Sequence, residues 1–529
     1  MAWLISFYFV PWIVLCLFSF VCLGDEYGSA KRDGYGEDWE FKLSLNSSVE
    51  LGGRVHRSSF PLGFVFGSAG AAYQYEGAVD EDGRGPSIWD DFVRHPGHVK
   101  GNATGDTAVD QYHRFEEDIQ ILKDLNLDAY RFSISWSRIL AVGRGHINWA
   151  GVAYYNRFIN ELIRQGIEPY VTLYHWDLPL ALEATGGWLD PDIVSAYTEF
   201  ATLCFDVFGD RVKYWMTFNE PHLFAKNGYE NGIYAPGRCS APFGHCASGD
   251  SIAEPLIVVH NVLNAHALAV SIYRKEFRDL QKGFIGLVLD GMWFTPCRKT
   301  QEDQDAAQRA NEYWTGWILD PIYLGDYPAS MRKYGVKLPT FTKEQSELLK
   351  NSVDFLGWNH YTSFFATYDK HSLENNDVSW SAMCNGVLIG PQAALEWFHI
   401  YPSGMRDSLS WLRERYGNPP VYITENGFAT NTNDEPWSSE HVQDYDRIKY
   451  HHDYMQSLLL AIRDGSDARG YFTWSFLDNF EWGEGYQTRF GFYQVDIGRS
   501  LERRAKASAI WLTHVLSKET RYPLEIGNV

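Results

Sequence analysis

The chain has little basic charge and few cysteines, and it lacks the motifs of several common protein classes. Its 46 lysine and arginine residues stand against 67 aspartate and glutamate residues, for a net charge of −21. Because phosphate binding needs a basic surface, this balance argues against a nucleic-acid partner. None of the seven cysteines has the paired spacing of a zinc site. No G-x-G-x-x-G follows a strand-like run, so nothing supports a dinucleotide-binding role.

Long apolar runs are also scarce. Residues 1–23, "MAWLISFYFVPWIVLCLFSFVCL", form the one run that we expect to reach a membrane. It predicts a secretory signal peptide, 1–24, cleaved after Gly24. The run is also long enough to anchor in a bilayer, and it contains no lysine or arginine. We expect no membrane association after cleavage.

The polar segments set the predicted domain boundaries. Residues 25–58 are polar and glycine-rich, which predicts a poorly ordered N-terminal extension. A single catalytic domain is predicted over residues 59–520, with a C-terminal tail over 521–529.

Five cysteines lie outside the predicted signal peptide. Cys239 and Cys246 flank a short loop, "RCSAPFGHCASG", and we predict that they form a disulfide in an oxidising compartment. Cys204 and Cys297 lie in apolar runs and are predicted to be buried thiols.

Two N-glycosylation sequons begin at Asn46 and Asn102, which fits secretion. No retention signal is visible in "YPLEIGNV". We therefore expect the protein in the secretory pathway, with the extracellular space, cell wall or vacuole as its destination.

Strand-like apolar runs alternate with amphipathic helical stretches through the rest of the chain. The eight runs lie near residues 64, 129, 169, 212, 284, 354, 421 and 470. Most are apolar without strict alternation, as parallel strands buried on both faces should be. The pattern predicts an α/β fold, a single (β/α)8 TIM barrel with long βα loops. A doubly wound sheet is the alternative.

In such barrels the active site forms at the carboxyl ends of the strands. The fourth run ends in Glu220 and the seventh in Glu425. Two carboxyl groups on one rim suit glycoside hydrolysis, in which one is protonated and the other ionised. Arg131 and Tyr361 are the candidates for keeping one carboxylate ionised.

Each residue taken alone has a more ordinary explanation. An Asn-Glu-Pro or Glu-Asn-Gly sequence is often only a turn. His175, Trp474 and Trp482 could each be core residues. The functional hypothesis rests on their joint occurrence at the strand ends.

Three motifs occur in order along the chain: "FVFGSAGAAYQYEGA" (64–78), "TFNEP" (217–221) and "ITENG" (423–427). Together they resemble the signatures of glycoside hydrolase family 1, the β-glucosidases, and the resemblance spans about residues 60–517. It implies a (β/α)8 barrel, no metal and no organic cofactor.

The resemblance also implies roles for individual residues. Glu220 matches the acid/base and Glu425 the nucleophile that forms a glycosyl-enzyme, while Tyr361 and Arg131 match residues beside the nucleophile. Trp397 matches the ring that packs on the aglycone. The implied sugar-binding set is Gln74, His175, Asn219, Trp474, Glu481, Trp482 and Phe490.

"GRCSAPFGHC" and "GRGHINWAG" resemble the plant secreted branch of the family, in particular the coniferin and monolignol glucosidases. The expected substrate is a small, phenolic β-glucoside, with galactose or fucose not excluded as the sugar. Tyr75, Ser403 and the loop after Tyr361 depart from that group. Three alternatives stay open: a transglucosidase, a hydrolase of purine-derived rings and a non-catalytic sugar-binding protein. The sequence does not predict the oligomeric state.

Overall fold

Eight parallel strands close into a barrel in the computed structural model, which describes residues 55–333, 337–372, 377–431 and 440–518. Each strand pairs with its neighbours in the chain, and the eighth pairs with the first. The strands are β1 Val65–Ala69, β2 Ala129–Ser133, β3 Glu168–Tyr174, β4 Tyr214–Asn219, β5 Phe284–Asp290, β6 Phe355–Asn359, β7 Val421–Asn426 and β8 Ala468–Thr473.

All eight predicted runs therefore form barrel strands, and the predicted α/β barrel is confirmed. The fifth run is shorter than expected, because β5 ends at Asp290 and a separate strand begins at Trp293. Gly291 lies between them, and a Cβ there would lie 2.4 Å from the Trp358 ring.

Helices cover the outside of the barrel. Those of eight residues or more are α1 Gln111–Asp124, α2 Trp149–Arg164, α3 Ile193–Phe208, α4 Pro221–Tyr229, α5 Glu254–Ile272, α6 Gln301–Asn311, α7 Trp317–Leu324, α8 Ser403–Tyr416, α9 Tyr445–Arg463 and α10 Ala507–Val515. Shorter α-helical segments are Ala72–Tyr75, Ile88–Phe92, Trp136–Ile139, Leu180–Glu183, Arg278–Gln281, Ala329–Lys333 and Lys343–Leu349. At least one helix follows each barrel strand, as the (β/α)8 pattern requires.

Short strands and turns elaborate the loops at the rim. Three of the short strands, Trp293–Pro296, Ser363–Tyr368 and Val378–Ser381, form one small sheet. The remaining short strands are Met383–Cys384, Val387–Leu388, Thr430–Asn431, Thr488–Arg489, Tyr493–Val495 and Arg503–Ala505. Single helical turns occur at Arg57–Ser59, Lys100–Asn102, Gly187–Leu189, Glu440–Val442 and Trp482–Glu484, and π-helical turns at Tyr273–Phe277 and Glu312–Gly316.

A packed cluster of side chains fills the barrel interior toward the end at which the strands begin. Its members are Ala129, Tyr170, Met216, Val288, Phe355, Tyr422 and Phe472. With this end closed by side chains, polar residues at the opposite rim are the ones left to form a pocket.

One helical stretch, Glu254–Gln281, is long and apolar enough to cross a membrane by length and composition. The expectation that only residues 1–23 reach that length was therefore wrong. The most apolar part of the stretch is 61% buried inside the fold, as the core helix of a large barrel should be.

The predicted segment boundaries are only partly visible. The signal peptide, Asn46 and the tail 521–529 lie outside the described residues. The last residues of the predicted extension, 55–58, belong to the folded part, because Arg57 pairs with Asp128 at 2.5 Å and donates to the Leu516 carbonyl at 3.0 Å. Asn102 is exposed at the surface, and its glycosylation stays a prediction.

The predicted Cys239–Cys246 disulfide is present, and Cys204 is a buried free thiol as predicted. The prediction for Cys297 was wrong, because it forms a second disulfide with Cys384 across a sequence separation of 87 residues. Cys297 follows the strand Trp293–Pro296, and the rim sheet brings the Cys384 hairpin beside that strand end.

Candidate active site

The two predicted catalytic glutamates lie at the carboxyl ends of β4 and β7. Glu220 directly follows β4 in a left-handed conformation (φ +47°), and Pro221 then begins α4. Proline suits the first helical turn, so the strand passes straight into the helix. Glu425 lies within the last residues of β7, opposite Asn359 of β6. Both carboxyl side chains are buried, with residues 5% and 4% exposed.

Glu425 lies between a cation and a hydroxyl. Arg131 from β2 forms an ion pair with Glu425 Oε1 at 2.5 Å, and the Tyr361 hydroxyl donates to Oε2 at 2.8 Å. Burial raises the pKa of Glu425, but Arg131 and Tyr361 act in the opposite direction. These two contacts favour the ionised form, which is the state a nucleophile needs.

Glu220 has only neutral donors. Asn359 Nδ2 donates to its Oε1 at 3.0 Å and Asn219 Nδ2 to its Oε2 at 3.1 Å. None of the described residues forms an ion pair with it. Burial, and then the neighbouring Glu425 and Asp290 carboxyl groups, hold the pKa of Glu220 well above its usual value. This environment favours the protonated form of Glu220.

Asn359 was not predicted as a site residue, yet it joins the two strands that carry the chemistry. Its amide nitrogen also donates to Asn219 Oδ1 at 3.1 Å, and its own oxygen accepts from the Thr424 hydroxyl at 2.7 Å. The signal was present in the sequence, because Asn359 ends the sixth strand in the same way that Asn219 ends the fourth.

Both polar atoms of the Asn219 side chain have hydrogen-bond partners within the protein. Its oxygen accepts from Arg131 at 2.7 Å and from Asn359, while its nitrogen donates to His175 Nε2 and to Glu220, both at 3.1 Å. A sugar hydroxyl at this position would share or replace one of these partners.

Gln74 and His175 each offer a free polar atom in the pocket. The Gln74 nitrogen donates to the Phe480 carbonyl at 2.9 Å and to Asn479 at 3.1 Å, whereas its Oε1 has no partner among the described residues. His175 Nδ1 likewise has none. Burial lowers the pKa of His175, so its ring is neutral. Buried polar atoms without partners are rare in folded proteins and are suited to a polar ligand.

Aromatic rings form the wall next to these atoms. The His175 ring lies nearly parallel to Trp474 and to Trp482, with centroid distances of 6.1 and 5.9 Å. Glu481 precedes Trp482, and burial, with a contribution from Glu425, raises the pKa of Glu481 to about 8. A neutral Glu481 can both donate to and accept from hydroxyl groups.

Tyr361 links the nucleophile candidate to the predicted aglycone side. Its ring stands perpendicular to those of Phe490, at 6.0 Å, and Trp397, at 6.4 Å. Phe490 is buried, but Trp397 is 43% exposed. Trp397 also stacks on Phe398 at 5.2 Å, so one face of its ring is supported while much of the side chain remains accessible.

The structure thus brings the predicted catalytic, sugar-binding and aglycone residues to one rim. It adds Asp290, which ends β5 and was missed because the apolar run continues as "GMWF" after it. Among the described residues no group of three or more His, Cys, Asp and Glu side chains is placed to hold a metal ion.

Comparison with known proteins agrees with this arrangement. The sequence profile of Glycosyl hydrolase family 1 matches residues 56–521. Beta-glucosidase 40 of Arabidopsis thaliana is 49% identical over 481 residues, 88% of this chain and 93% of that protein. Beta-glucosidase 6 of rice (Oryza sativa subsp. japonica) is 48% identical over 88% of this chain and 92% of its own length. A rice Os3BGlu6 β-glucosidase mutant, solved in a covalent complex with glucose from GA4GE, superposes with a TM-score of 0.86 at 48% identity, covering 88% of this chain and all of that one.

Proposed function

The chain belongs to glycosyl hydrolase family 1, and we propose that it is a retaining β-glucosidase. It releases terminal β-D-glucose from small β-glucosides by double displacement. Glu425 attacks the anomeric carbon while Glu220 gives its proton to the aglycone oxygen. Glu220 then takes a proton from water, which attacks the glycosyl-enzyme and frees glucose with retained configuration.

The observation that carries this proposal is the unequal environment of the two glutamates. Glu425 accepts from Arg131 and Tyr361, whereas Glu220 accepts only from two amide groups. One carboxyl group is therefore ready to attack as an anion and the other to deliver a proton. The covalent glucose complex of the rice relative supports the same two-step chemistry. A retaining mechanism further requires the two carboxyl groups to lie about 5–5.5 Å apart.

The first experiment measures glucose release from an aryl β-glucoside and identifies the anomer formed first by NMR. We expect β-glucose, and we expect Glu425→Gln to abolish its release. Glu414→Gln, at a side chain that is 72% exposed, is the matched control and should retain full activity. An α-anomer would refute retention, and an active Glu425→Gln variant would refute the nucleophile assignment. Tight glucose binding without any turnover would support a sugar-binding protein instead.

We propose that the aglycone is a small phenol. Trp397 presents an accessible aromatic ring that stacks on Phe398 and meets Tyr361 edge-on. A flat aromatic aglycone would gain both buried area and ring contacts there. The resemblance of "GRGHINWAG" to the coniferin glucosidases favours the same substrate class.

Trp397→Ala tests the aglycone assignment. We expect KM for phenolic glucosides to rise by about tenfold, which corresponds to the loss of roughly 1.4 kcal/mol of ring contact, with a much smaller rise for an alkyl glucoside. Trp149→Ala is the control, because Trp149 is 62% exposed at the start of α2. Equal changes for phenolic and alkyl substrates would remove the reason for a phenolic preference. Alcohol acceptors in the same assay would reveal transglucosylation.

We also propose that the protein acts in the secretory pathway, outside the cell, in the wall or in a vacuole. The two disulfides and the exposed Asn102 sequon support this location, since disulfides persist in oxidising compartments. Expression of the full chain in a plant cell, followed by N-glycosidase treatment and a shift in electrophoretic mobility, would test it. A cytosolic, unglycosylated product would contradict it.

A further inference from the structure

A third carboxyl group, Asp290, lies in the catalytic layer of the barrel. The strands that carry Glu220 and Glu425 are β4 and β7, and only β5 and β6 separate them on one side. Asp290 ends β5, and its Cα is in register with Asn359 at the end of β6. The sugar-binding candidates on β8, β1 and β3 lie on the other arc of the rim. Asp290 therefore faces the catalytic pair from the opposite side to most of the predicted sugar contacts.

Neighbouring backbone contacts fix Asp290 close to Glu220. The Glu220 amide donates to the Val288 carbonyl at 2.9 Å, two residues before Asp290 on the same strand. Asn359, opposite Asp290, donates to Glu220 Oε1 at 3.0 Å. Contacts on both flanking strands, β4 and β6, thus hold Asp290 near Glu220, the acid/base candidate.

The carboxyl group of Asp290 has donors but no cation. Trp314 Nε1 donates to its Oδ2 at 2.9 Å, and the Met292 amide donates to its Oδ1 at 3.2 Å. None of the described residues forms an ion pair with it. Once Asp290 is ionised, no nearby cation among the described residues neutralises its charge, which therefore acts on the rest of the site.

The Asp290 carboxyl group is not the only charge that bears on Glu220. The other titratable or charged side chains near the pair on neighbouring elements include Glu425, Glu481, Arg131, Tyr361, Tyr234, His175 and His222. Of these, Glu425 raises the pKa of Glu220, whereas Arg131, which pairs with Glu425 and donates to Asn219, lowers it. Burial lowers the pKa of both histidines, so they carry no charge near pH 7.

Burial raises the pKa of Asp290 to about 7, with Glu425 adding to the effect. Asp290 in turn follows burial and Glu425 among the causes that raise the pKa of Glu220. An ionised Asp290 on β5 therefore favours the protonated form of Glu220.

We propose that Asp290 is a positioning residue that holds the proton on Glu220 and thereby sets the alkaline end of the working pH range. This role rests on the proposed function, in which Glu220 is the acid. It requires no contact between Asp290 and the substrate. The ionised Asp290 acts through the electric field between β5 and β4. Its effect belongs to the alkaline part of the pH range, where Asp290 is ionised and opposes loss of the proton from Glu220.

Asp290→Asn tests the proposal through the pH profile of kcat/KM, which reports the ionisations of the free enzyme. At pH values where Asp290 is ionised, removal of its negative charge should lower the pKa of Glu220. We therefore expect the alkaline limb to move down by roughly one pH unit, and the acidic limb, where Asp290 is protonated, to stay in place. A merely structural role would reduce the height of the profile without moving its limbs.

Two variants separate charge from packing. Trp314→Phe removes the indole donor, whose hydrogen bond lowers the pKa of Asp290, but it leaves a carboxyl group that can still ionise. Its alkaline limb should therefore move down by less than that of Asp290→Asn. Asp290→Glu keeps the charge on a longer side chain and should restore the limb even if kcat remains low. A limb that moves equally in Asp290→Asn and Trp314→Phe would overturn the proposal.

An infrared titration makes the test independent of turnover. The band of the protonated Glu220 carboxyl group is assigned by its loss in Glu220→Gln, and its midpoint should fall in Asp290→Asn. An unchanged midpoint would overturn the role of Asp290. A shifted midpoint in a protein without glucosidase activity would sustain that role and refute the proposed function instead.

Discussion

Replacing Tyr361 with phenylalanine removes one of the two strong donors to the nucleophile candidate. The Tyr361 hydroxyl donates to Glu425 Oε2 at 2.8 Å, while Arg131 remains on the other oxygen. A hydrogen bond to a charged group contributes about 1.5–3 kcal/mol, and one pKa unit corresponds to about 1.36 kcal/mol. The pKa of Glu425 should therefore rise by about 1–2 units. Since Tyr361 is only half-buried, water can partly replace its hydroxyl, and we expect the lower end of this range.

The direction in which the pH profile moves follows from the form of Glu425 that attacks, which is the ionised one. The hydroxyl stabilises the ionised form of Glu425, so its loss means that a higher pH is needed to ionise the nucleophile. The acidic limb of the kcat/KM profile for an aryl β-glucoside, measured from pH 4 to 8, should move upward by about one unit.

Tyr197→Phe is the control for loss of a buried hydroxyl. Tyr197 donates to the Thr217 carbonyl at 2.7 Å and has no direct contact with either glutamate. It should lower stability and leave the acidic limb in place. An acidic limb that does not move in Tyr361→Phe, whatever the loss in kcat, would refute the assignment of Tyr361 as a donor to an ionised nucleophile.

Three further predictions concern different parts of the structure. Glu220→Ala should lower kcat/KM for an alkyl glucoside by about 10²–10⁴-fold but spare kcat/KM for a dinitrophenyl glucoside, whose leaving group needs no proton. Equal losses of kcat/KM on both substrates would argue against an acid role. Burial raises the pKa of Glu481 from 4.5 to about 8, so the folded protein loses stability as the pH rises through this interval. Because glutamine does not ionise, Glu481→Gln should have a higher Tm than wild type at pH 8 but not at pH 4. A constant Tm difference would contradict this. Removing the Cys297–Cys384 disulfide should lower the free energy of unfolding by up to about 4–5 kcal/mol, against about 2–3 kcal/mol for the Cys239–Cys246 disulfide, because the loop that it closes is longer. Denaturant unfolding that gives the reverse order would refute this ranking.

The polar residues at the ends of the apolar runs carried most of the information about the site. Glu220 and Glu425 each lie at the end of an apolar run typical of a buried strand, and parallel strands of one barrel place their carboxyl ends together. Asn359 fits the same rule and could have been predicted as a site residue. Asp290 was harder to recognise, because the apolar residues after Gly291 hide the end of its strand.

The disulfide of Cys297 could not be predicted from the local sequence. An apolar neighbourhood is equally compatible with a buried thiol and with a disulfide. The outcome depends on the path of the rim loop, which brings Cys384 within 5.5 Å of Cys297 between Cα atoms across 87 residues. No periodicity within either segment encodes that approach.

The eight strands, their order and the kinds of side chain at their ends could be predicted from the chain alone, because apolar runs of strand length and their flanking residues are local properties. Which glutamate has the donors that favour its ionised form depends on the tertiary structure. That difference arises because Arg131, 294 residues away in the chain, reaches Glu425, whereas Glu220 meets amides and a second anion. The pKa of a buried group depends on charges brought together through space, and closure of the barrel is what brings them together.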